Sequence, residues 1–573
     1  MSIAAAGNSA PVRRALVSPG LARAILAVVI LAGLGAQLHL AFVHEINWDE
    51  FLHLSIVHEA ARGELDRALQ TAFAHAFGWV RWVADGEIDQ IVAARLAMFG
   101  LMLGTVACVL AIGRHLLGLD AALLAAAAYV SFSFVVEHAS SFRTDPLAAF
   151  LLMAALWLVI TRPPDVLRTC IAATAIGLAG LATIKSALYV PSIAAVLLIG
   201  VACAGNRRAA LLHALGLGAL AGFVFFAGLA LHKLSLAGTE PTIGGIGGAA
   251  SKTLGERDFA NAISAFVHAV RRNPVFWLLI AAGLGAAAAC VVRSRGAARA
   301  RWAVVLACGA MLGSLLVYAH SFPYFYPFML APAVVLAGAA PMLMPARVRP
   351  MVAAFAGIGL ALSLVSGYRV ALGQDTQAQR QTLEVVHRMF PEPTPYIDRC
   401  SMVSSYPKTG FFMSAWGMWG YYRQGVPVMR GILERDQPKF LLANRRMLEL
   451  DDLGPEEHGP AAFGLFREDI ETLRANFIRH WGAIYVAGKR VELAGGGGEA
   501  AFEIVIEGRY TLESPGPVTI DGVPVAPGES VLLARGQHRM AAPGESMTAT
   551  LRWGESIYRP DEPAPRTPLF TGF

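Results

Sequence analysis

A chain of 573 residues that is 55% hydrophobic and only 15% charged, with a mean hydropathy of +0.52, is not a soluble protein of one domain but a polytopic membrane protein. Its net charge of +6 comes from arginines clustered between apolar runs, which reports topology and gives no reason to expect nucleic acid as a partner. Five of the six cysteines (Cys108, Cys170, Cys203, Cys290 and Cys308) lie in apolar segments and Cys400 alone lies outside them, so no disulfide framework is expected.

In chain order, Arg13 and Arg14 precede a first apolar run, Leu21 to Val43, that is long enough to span and has no small-residue cleavage site, as a retained first helix would. Ten further runs can cross a hydrocarbon core of ~30 Å: 89–112, 120–137, 145–160, 169–185, 188–204, 210–232, 274–292, 302–319, 324–345 and 350–371. Arg114, Arg162/Arg168, Arg207/Arg208, Arg293/Arg295/Arg299/Arg301 and Arg347/Arg349 fall in alternate connections, which read as cytoplasmic by the positive-inside rule. That places the N-terminus inside and everything after Leu372 outside. "INWDEFLHL", Ile46 to Leu54, then opens an extracytoplasmic loop. Three other outer segments follow: "EHASSFRTDP", a loop over 233–273, and "AHSFPYFYP". The second begins glycine-rich, "TIGGIGGAASK", and ends with Phe259, Ile263, Phe266 and Val270 at helical spacing, which predicts an amphipathic helix on the bilayer surface.

The tail differs in character. Strand-like pieces ("TPYIDRC", "KFLLAN", "AIYVAGKRVEL") alternate with helical ones ("EDIETLRANFIRHWG"), and after the linker "AGGGGEA" short alternating runs broken by Gly and Pro predict a β-sandwich. The expected fold class is a polytopic α-helical membrane protein of about 11 transmembrane helices, over 1–372, with a C-terminal extracytoplasmic α/β domain, 373–495, and a β-rich domain, 496–573.

Charge inside a bilayer is costly, so its placement is informative. Glu137, Asp145, Arg95, Lys185 and Lys233 all map to outer helix ends, on the side of Asp49 and Glu50. A transporter would gather such groups at the midplane; an enzyme acting on a lipid-linked substrate would gather them at one rim. A carboxylate there can take a proton from an acceptor or stabilise an oxocarbenium-like centre. A departing lipid phosphate needs cations, and Arg143, Lys185, Arg271 and Arg272 are on the right side; Tyr324 and Tyr326 offer hydroxyls or ring faces. Each group has a plainer reading. Asp49 and Glu50 suit the first turn of a helix. Asp145 before Pro146 suits an N-cap, and Lys185, Arg271 and Arg272 suit helix ends anchored to lipid phosphates. Trp79 and Trp82 read as an interfacial belt. His44, His53, His58, His138 and His320 lack tight ligand spacing, so the sequence leaves a divalent metal open and does not require one.

Three motifs, "NWDE" after the first span, "FRTDPLAAF" at the fourth and "HSFPYFYPFMLAPAVVLAG" opening the tenth, resemble the GT-C class of membrane glycosyltransferases. The nearest branch in appearance is that of the bacterial relatives of protein O-mannosyltransferases and of the aminoarabinose transferase that modifies lipid A. The resemblance covers roughly residues 20–345. It implies a sugar donor on a polyprenyl phosphate, an extracytoplasmic acceptor (lipid, glycan or protein) and inversion at the anomeric carbon, in a bacterial inner membrane. It implies Asp49 as the leading catalytic carboxylate, Glu50 as its companion and Asp145 as the second-loop acid. Arg143, Lys185, Arg271 and Arg272 are then candidates for phosphate contacts. His320, Tyr324 and Tyr326 are substrate-binding candidates, since their string resembles the family's stretch near the carrier phosphate. Branches of the class differ in metal use, so the cofactor stays open. The end of the tail resembles small β-domains of the PEGA type. A lipid or glycan transporter and a non-catalytic envelope assembly protein are the alternatives.

Overall fold

The computed structural model describes residues 17–162, 165–238, 260–494, 498–565 and 568–571. Arg13, Arg14, Phe259 and the glycine-rich part of the 233–273 loop lie outside these residues. The chain forms two compact units: one of Met1–Phe42, Asp66–Phe73 and Arg95–Gly373, the other of Val43–Leu65, Ala74–Ala94 and Gln374–Phe573.

The first is the membrane unit. Eight helices among the described residues are long and apolar enough to cross a bilayer: Pro19–Val43, Glu87–Leu117, Thr144–Thr161, Ile184–Cys203, Arg207–Lys233, Pro274–Arg293, Gly296–Leu316 and Arg349–Leu372. Two shorter apolar helices, Leu119–Ser131 and Val166–Ala182, and a pair bent by 45°, Pro323–Ala333 with Val335–Leu343, coincide with the remaining three apolar runs. The bend has a local cause. Pro332 has no N–H to give to the carbonyl of Phe328, four residues earlier. The Tyr189 hydroxyl supplies that hydrogen bond instead, at 2.6 Å, and the Tyr129 hydroxyl donates to the Pro327 carbonyl at 2.8 Å. Neighbouring helices pack backbone to backbone here: a Cβ on Gly283 would sit 1.8 Å from the Leu336 carbonyl oxygen. Beside them, Ala260–Arg272 is an amphipathic helix that buries Ala262 and Ala269 and exposes Ile263, Phe266 and Val267.

The second unit is the tail together with two segments from early in the chain. The tail grips those segments through polar contacts. Gln379 accepts from the Ile46 N–H and donates to its carbonyl, at 3.0 and 2.8 Å. Glu45 accepts from the Thr571 N–H at 2.8 Å, and Ser404 donates to the Phe51 carbonyl at 2.9 Å. Its strands are β1 Tyr396–Ile397, β2 Phe440–Leu442, β3 Phe477–Trp481, β4 Ile484–Leu493, β5 Glu499–Ile504, β6 Gly508–Glu513, β7 Val518–Ile520, β8 Val523–Val525, β9 Ser530–Leu533, β10 Gly536–Ala541 and β11 Met547–Trp553. A seven-stranded sheet runs β1-β2-β4-β11-β6-β9 with β3 also on β4, and a four-stranded sheet runs β5-β10-β7-β8. Among the strands of the described residues, β1 and β2 are the pair that runs parallel. Alternate residues of both sheets, among them Leu493, Ile504, Leu512, Ile520, Met540 and Leu551, meet in one core. Residues before and after 495 thus share the larger sheet.

Candidate active site

The membrane unit holds a cation-rich cluster around Asp145. The helix Thr144–Thr161 begins one residue before this acid, so Asp145 is not its N-cap: Arg143 occupies the cap position and its side chain makes no capping bond. Asp145 instead turns its carboxylate, 3% exposed, to Lys185, whose Nζ donates to both oxygens at 2.7 and 3.0 Å. Arg143 Nε forms a second, looser ion pair at 3.5 Å. The Arg143 guanidinium lies 3.5 Å from the centre of the Tyr324 ring, and Lys185 Nζ is 5.2 Å from it. Four of the residues singled out in the sequence, from three distant segments, therefore converge. They set two positive charges against one negative, which is the electrostatic character of an anion site.

The 3-10 turn Ile184–Tyr189 that carries Lys185 is fixed by the Thr183 hydroxyl, which accepts from the Lys185 N–H at 3.4 Å and donates to Gln70 at 3.1 Å. Ile184 and Ser186, on either side of Lys185, line an apolar cavity of about 500 Å³ with Leu181, Phe225 and Leu229. A cationic group at the edge of an apolar cavity suits a ligand with an anionic head and a hydrocarbon tail.

Other candidates lie elsewhere in this unit. Arg272 donates to Glu137 at 2.6 Å, with His138 Nε2 3.8 Å from the same carboxylate. Its charge is thereby matched by an acid, while Arg271 is exposed on the same helix. His320, Phe322 and Tyr324 form a file of rings, with centroids 6.0 and 5.8 Å apart. Tyr326 faces away from the file, wholly buried between Phe132 and Phe134 at 5.8 and 5.1 Å.

In the tail unit, Asp49 and Glu50 sit in the first turn of the helix Trp48–Arg62, and their roles diverge. Asn47 accepts from the Asp49 N–H at 2.9 Å, and Glu50 accepts from the Asn47 N–H at 3.0 Å, closing a capping box. Glu50 is buried by that task and Asp49 is half-buried. The neighbouring Trp48 carries two guanidiniums that sequence reasoning missed: Arg399, 3.5 Å from the ring centre, and Arg445, 5.8 Å away. Arg399 is 4% exposed; its Nε donates to the Met413 carbonyl at 3.0 Å, and its buried Nη1 has no hydrogen-bond partner among the described residues. Burial, then the charge of Arg445, pull its pKa down to about 10, with Asp49 among the acids that oppose the drop. Its backbone is held rigidly. Asp398 accepts from the N–H groups of Cys400, Ser401 and Met402 at 3.1, 2.8 and 2.8 Å and from Asn444 at 2.9 Å, and Ser401 adopts φ 62°. Burial still raises the Asp398 pKa above its ordinary value, against those bonds. Only the fold could reveal this cluster, since Trp48 and Arg399 are far apart in sequence. Among the described residues no group of three or more His, Cys, Asp and Glu side chains is arranged to hold a metal ion.

No protein-family model matches the chain, and no curated protein matches it by sequence. Solved structures do. ArnT from Cupriavidus metallidurans in the apo state matches with a TM-score of 0.50 and 13% identity, over 73% of this chain and 92% of that one. AglB, the archaeal oligosaccharyltransferase from Archaeoglobus fulgidus, in complex with an inhibitory peptide and a dolichol-phosphate, matches with a TM-score of 0.51 and 12% identity, over 73% and 69%. An Archaeoglobus fulgidus oligosaccharyltransferase in complex with Zn and sulfate matches with a TM-score of 0.52 and 10% identity, over 93% and 98%. The fold is that of the GT-C glycosyltransferases. At these identities the likeness is one of architecture, and the residues above stand on their own geometry.

Proposed function

We propose that this protein is an integral-membrane glycosyltransferase that moves a sugar from a polyprenyl-phosphate carrier to an extracytoplasmic acceptor, with inversion. The observation that carries the reading is the Arg143–Asp145–Lys185–Tyr324 cluster beside the apolar cavity. The excess cation receives the phosphate, the cavity receives the first part of the prenyl chain, and Asp145 holds both cations in place. The acceptor oxygen forms a bond to the anomeric carbon as the bond from that carbon to the phosphate oxygen breaks. The bond electrons leave with the carrier phosphate, where Lys185 and Arg143 stabilise the charge. Asp49 takes the acceptor proton as general base. The arginine-bearing connections support a bacterial inner-membrane location with the N-terminus cytoplasmic and the tail outside.

The test is release of carrier phosphate by purified protein in lipid. Asp49→Asn is expected to lower the rate by about 10²-fold or more, and Lys185→Met by a similar factor. Full activity in both folded variants would overturn the assignment.

A further inference from the structure

The helix Thr144–Thr161 that begins beside Asp145 ends at Arg162, about 25 Å away at the helical rise per residue. A second cavity, of about 230 Å³, lies at that far end, between this helix and the helices Val166–Ala182, Ile184–Cys203 and Arg207–Lys233. Leu158, Val196, Gly200 and Leu217 give it an apolar wall, and Arg162, Arg168, Thr169 and His213 line it at the helix ends. Thr169 spends its hydroxyl proton on the Asp165 carbonyl at 2.6 Å, and so accepts from His213 Nε2 at 3.1 Å. That bond ties Val166–Ala182 to Arg207–Lys233 at the polar end. Arg168 pairs with Asp165 at 3.0 Å. Asp165 is the one acid between residues 146 and 239, however, and Arg162, Arg207 and Arg208 belong to the same helix ends. The segments that build the cavity therefore carry an excess of positive charge here even with that pair formed. The helices Val166–Ala182 and Arg207–Lys233 both begin at this end, so their dipoles add to it.

We propose that this cavity binds an anionic phospholipid in the leaflet opposite the Asp145 cluster, its phosphodiester at Arg162 and His213 and an acyl chain between the helices. Charge complementarity and the apolar wall together select this occupant. A soluble anion would use the arginines and gain nothing from the wall, whereas a phospholipid uses both. Leu198, Leu212 and Leu215, on the helices that build the cavity, are exposed, as residues facing hydrocarbon are. The site rests on the chain spanning a membrane and is independent of the glycosyl-transfer reading.

The experiment offers full-length protein in detergent equal amounts of dioleoyl-phosphatidylglycerol and dioleoyl-phosphatidylcholine and counts the retained lipid by native mass spectrometry. Wild type is expected to keep one phosphatidylglycerol, preferred by about fivefold or more. Arg162→Gln is expected to lose most of that preference. Gly200→Leu fills the cavity, since a Cβ at Gly200 meets nothing within 4 Å, and is expected to lose the bound lipid while remaining folded and monodisperse. Arg349→Gln, in another arginine-bearing connection, controls for general attraction and is expected to bind as wild type does. The proposal is overturned if wild type retains the two lipids equally, if folded Arg162→Gln or Gly200→Leu matches wild type, or if Arg349→Gln loses the preference as fully as Arg162→Gln. Because no donor or turnover enters, an inactive protein that keeps the lipid would refute the glycosyl-transfer reading and leave the site standing.

Discussion

One cluster in each unit holds buried positive charge, and the two do so in different ways. In the membrane unit Lys185 and Arg143 share Asp145, and Arg272 has Glu137. In the tail unit Arg399 is equally buried but rests on an indole, and a second arginine shares that ring. An ion pair in an apolar medium is obligatory, because either charge alone is far too costly. A guanidinium on an aromatic face tolerates the loss of a partner, because its delocalised charge is weakly hydrated to begin with. The first arrangement is built on ion pairs, and the second on the face of an aromatic ring.

Removing acids from one unit and a cation from the other is the sharpest way to break this comparison. Asp145→Asn removes the carboxylate that Lys185 and Arg143 share and is expected to destabilise the membrane unit by about 3–5 kcal/mol, read as a fall in the unfolding midpoint in detergent. Arg272→Met strands Glu137 and is expected to cost about 3 kcal/mol. The double variant with Glu137→Gln should recover much of that, as a double-mutant cycle will register. Arg399→Gln, by contrast, gives up one aromatic contact and one hydrogen bond and is expected to cost only about 1–2 kcal/mol. An equal penalty for Asp145→Asn and Arg399→Gln would erase the distinction.

The tail unit also has pairings that resemble those of the membrane unit, among them Arg552 with Glu513 at 2.6 Å and His387 with Glu87. His387 donates to Glu87 at 2.9 Å. Burial alone would lower the His387 pKa, but the hydrogen bond and charge of Glu87 prevail and raise it above the ordinary value of 6.5. A raised folded-state pKa means that this stabilisation is complete below pH 6.5 and is lost as pH climbs through the higher folded value. Unfolding of wild type is expected to become easier over that interval, and His387→Gln is expected to flatten the dependence. The smallest effect separates the adjacent acids. Glu50→Gln can still close the capping box and is expected to keep stability and activity, while Glu50→Ala costs about 1 kcal/mol. If Glu50→Gln were as inactive as Asp49→Asn, the division of labour between them would be wrong.

The same contrast explains what was legible in the sequence. Against an apolar background every charge stands out, so Asp145, Lys185 and Arg143 are legible in the sequence, and the fold brings them together with Tyr324. All eleven apolar runs are helices or helix pairs, although the bend at Pro332 depends on a hydroxyl from Tyr189, which no local pattern reports. Tyr326 sits two residues from Tyr324 in the same motif, yet helical geometry turns it into the Phe132–Phe134 core. Asp145 before Pro146 has the composition of a cap, but Thr144 already belongs to the helix, and the pull of Lys185 takes the carboxylate elsewhere. In the tail, arginines are common and solvated ones look like buried ones. Arg399 acquires meaning only when it meets Trp48, so nothing short of the tertiary structure could have marked it.

The central claim is that Lys185 and Arg143 hold the phosphate of a prenyl carrier, and the most direct measurement is native mass spectrometry of the purified protein with added polyprenyl phosphate. Wild type is expected to retain one carrier molecule and Lys185→Met, folded and inserted, to lose it. Retention of the carrier by Lys185→Met as strongly as by wild type, or no retention by wild type, would contradict the account.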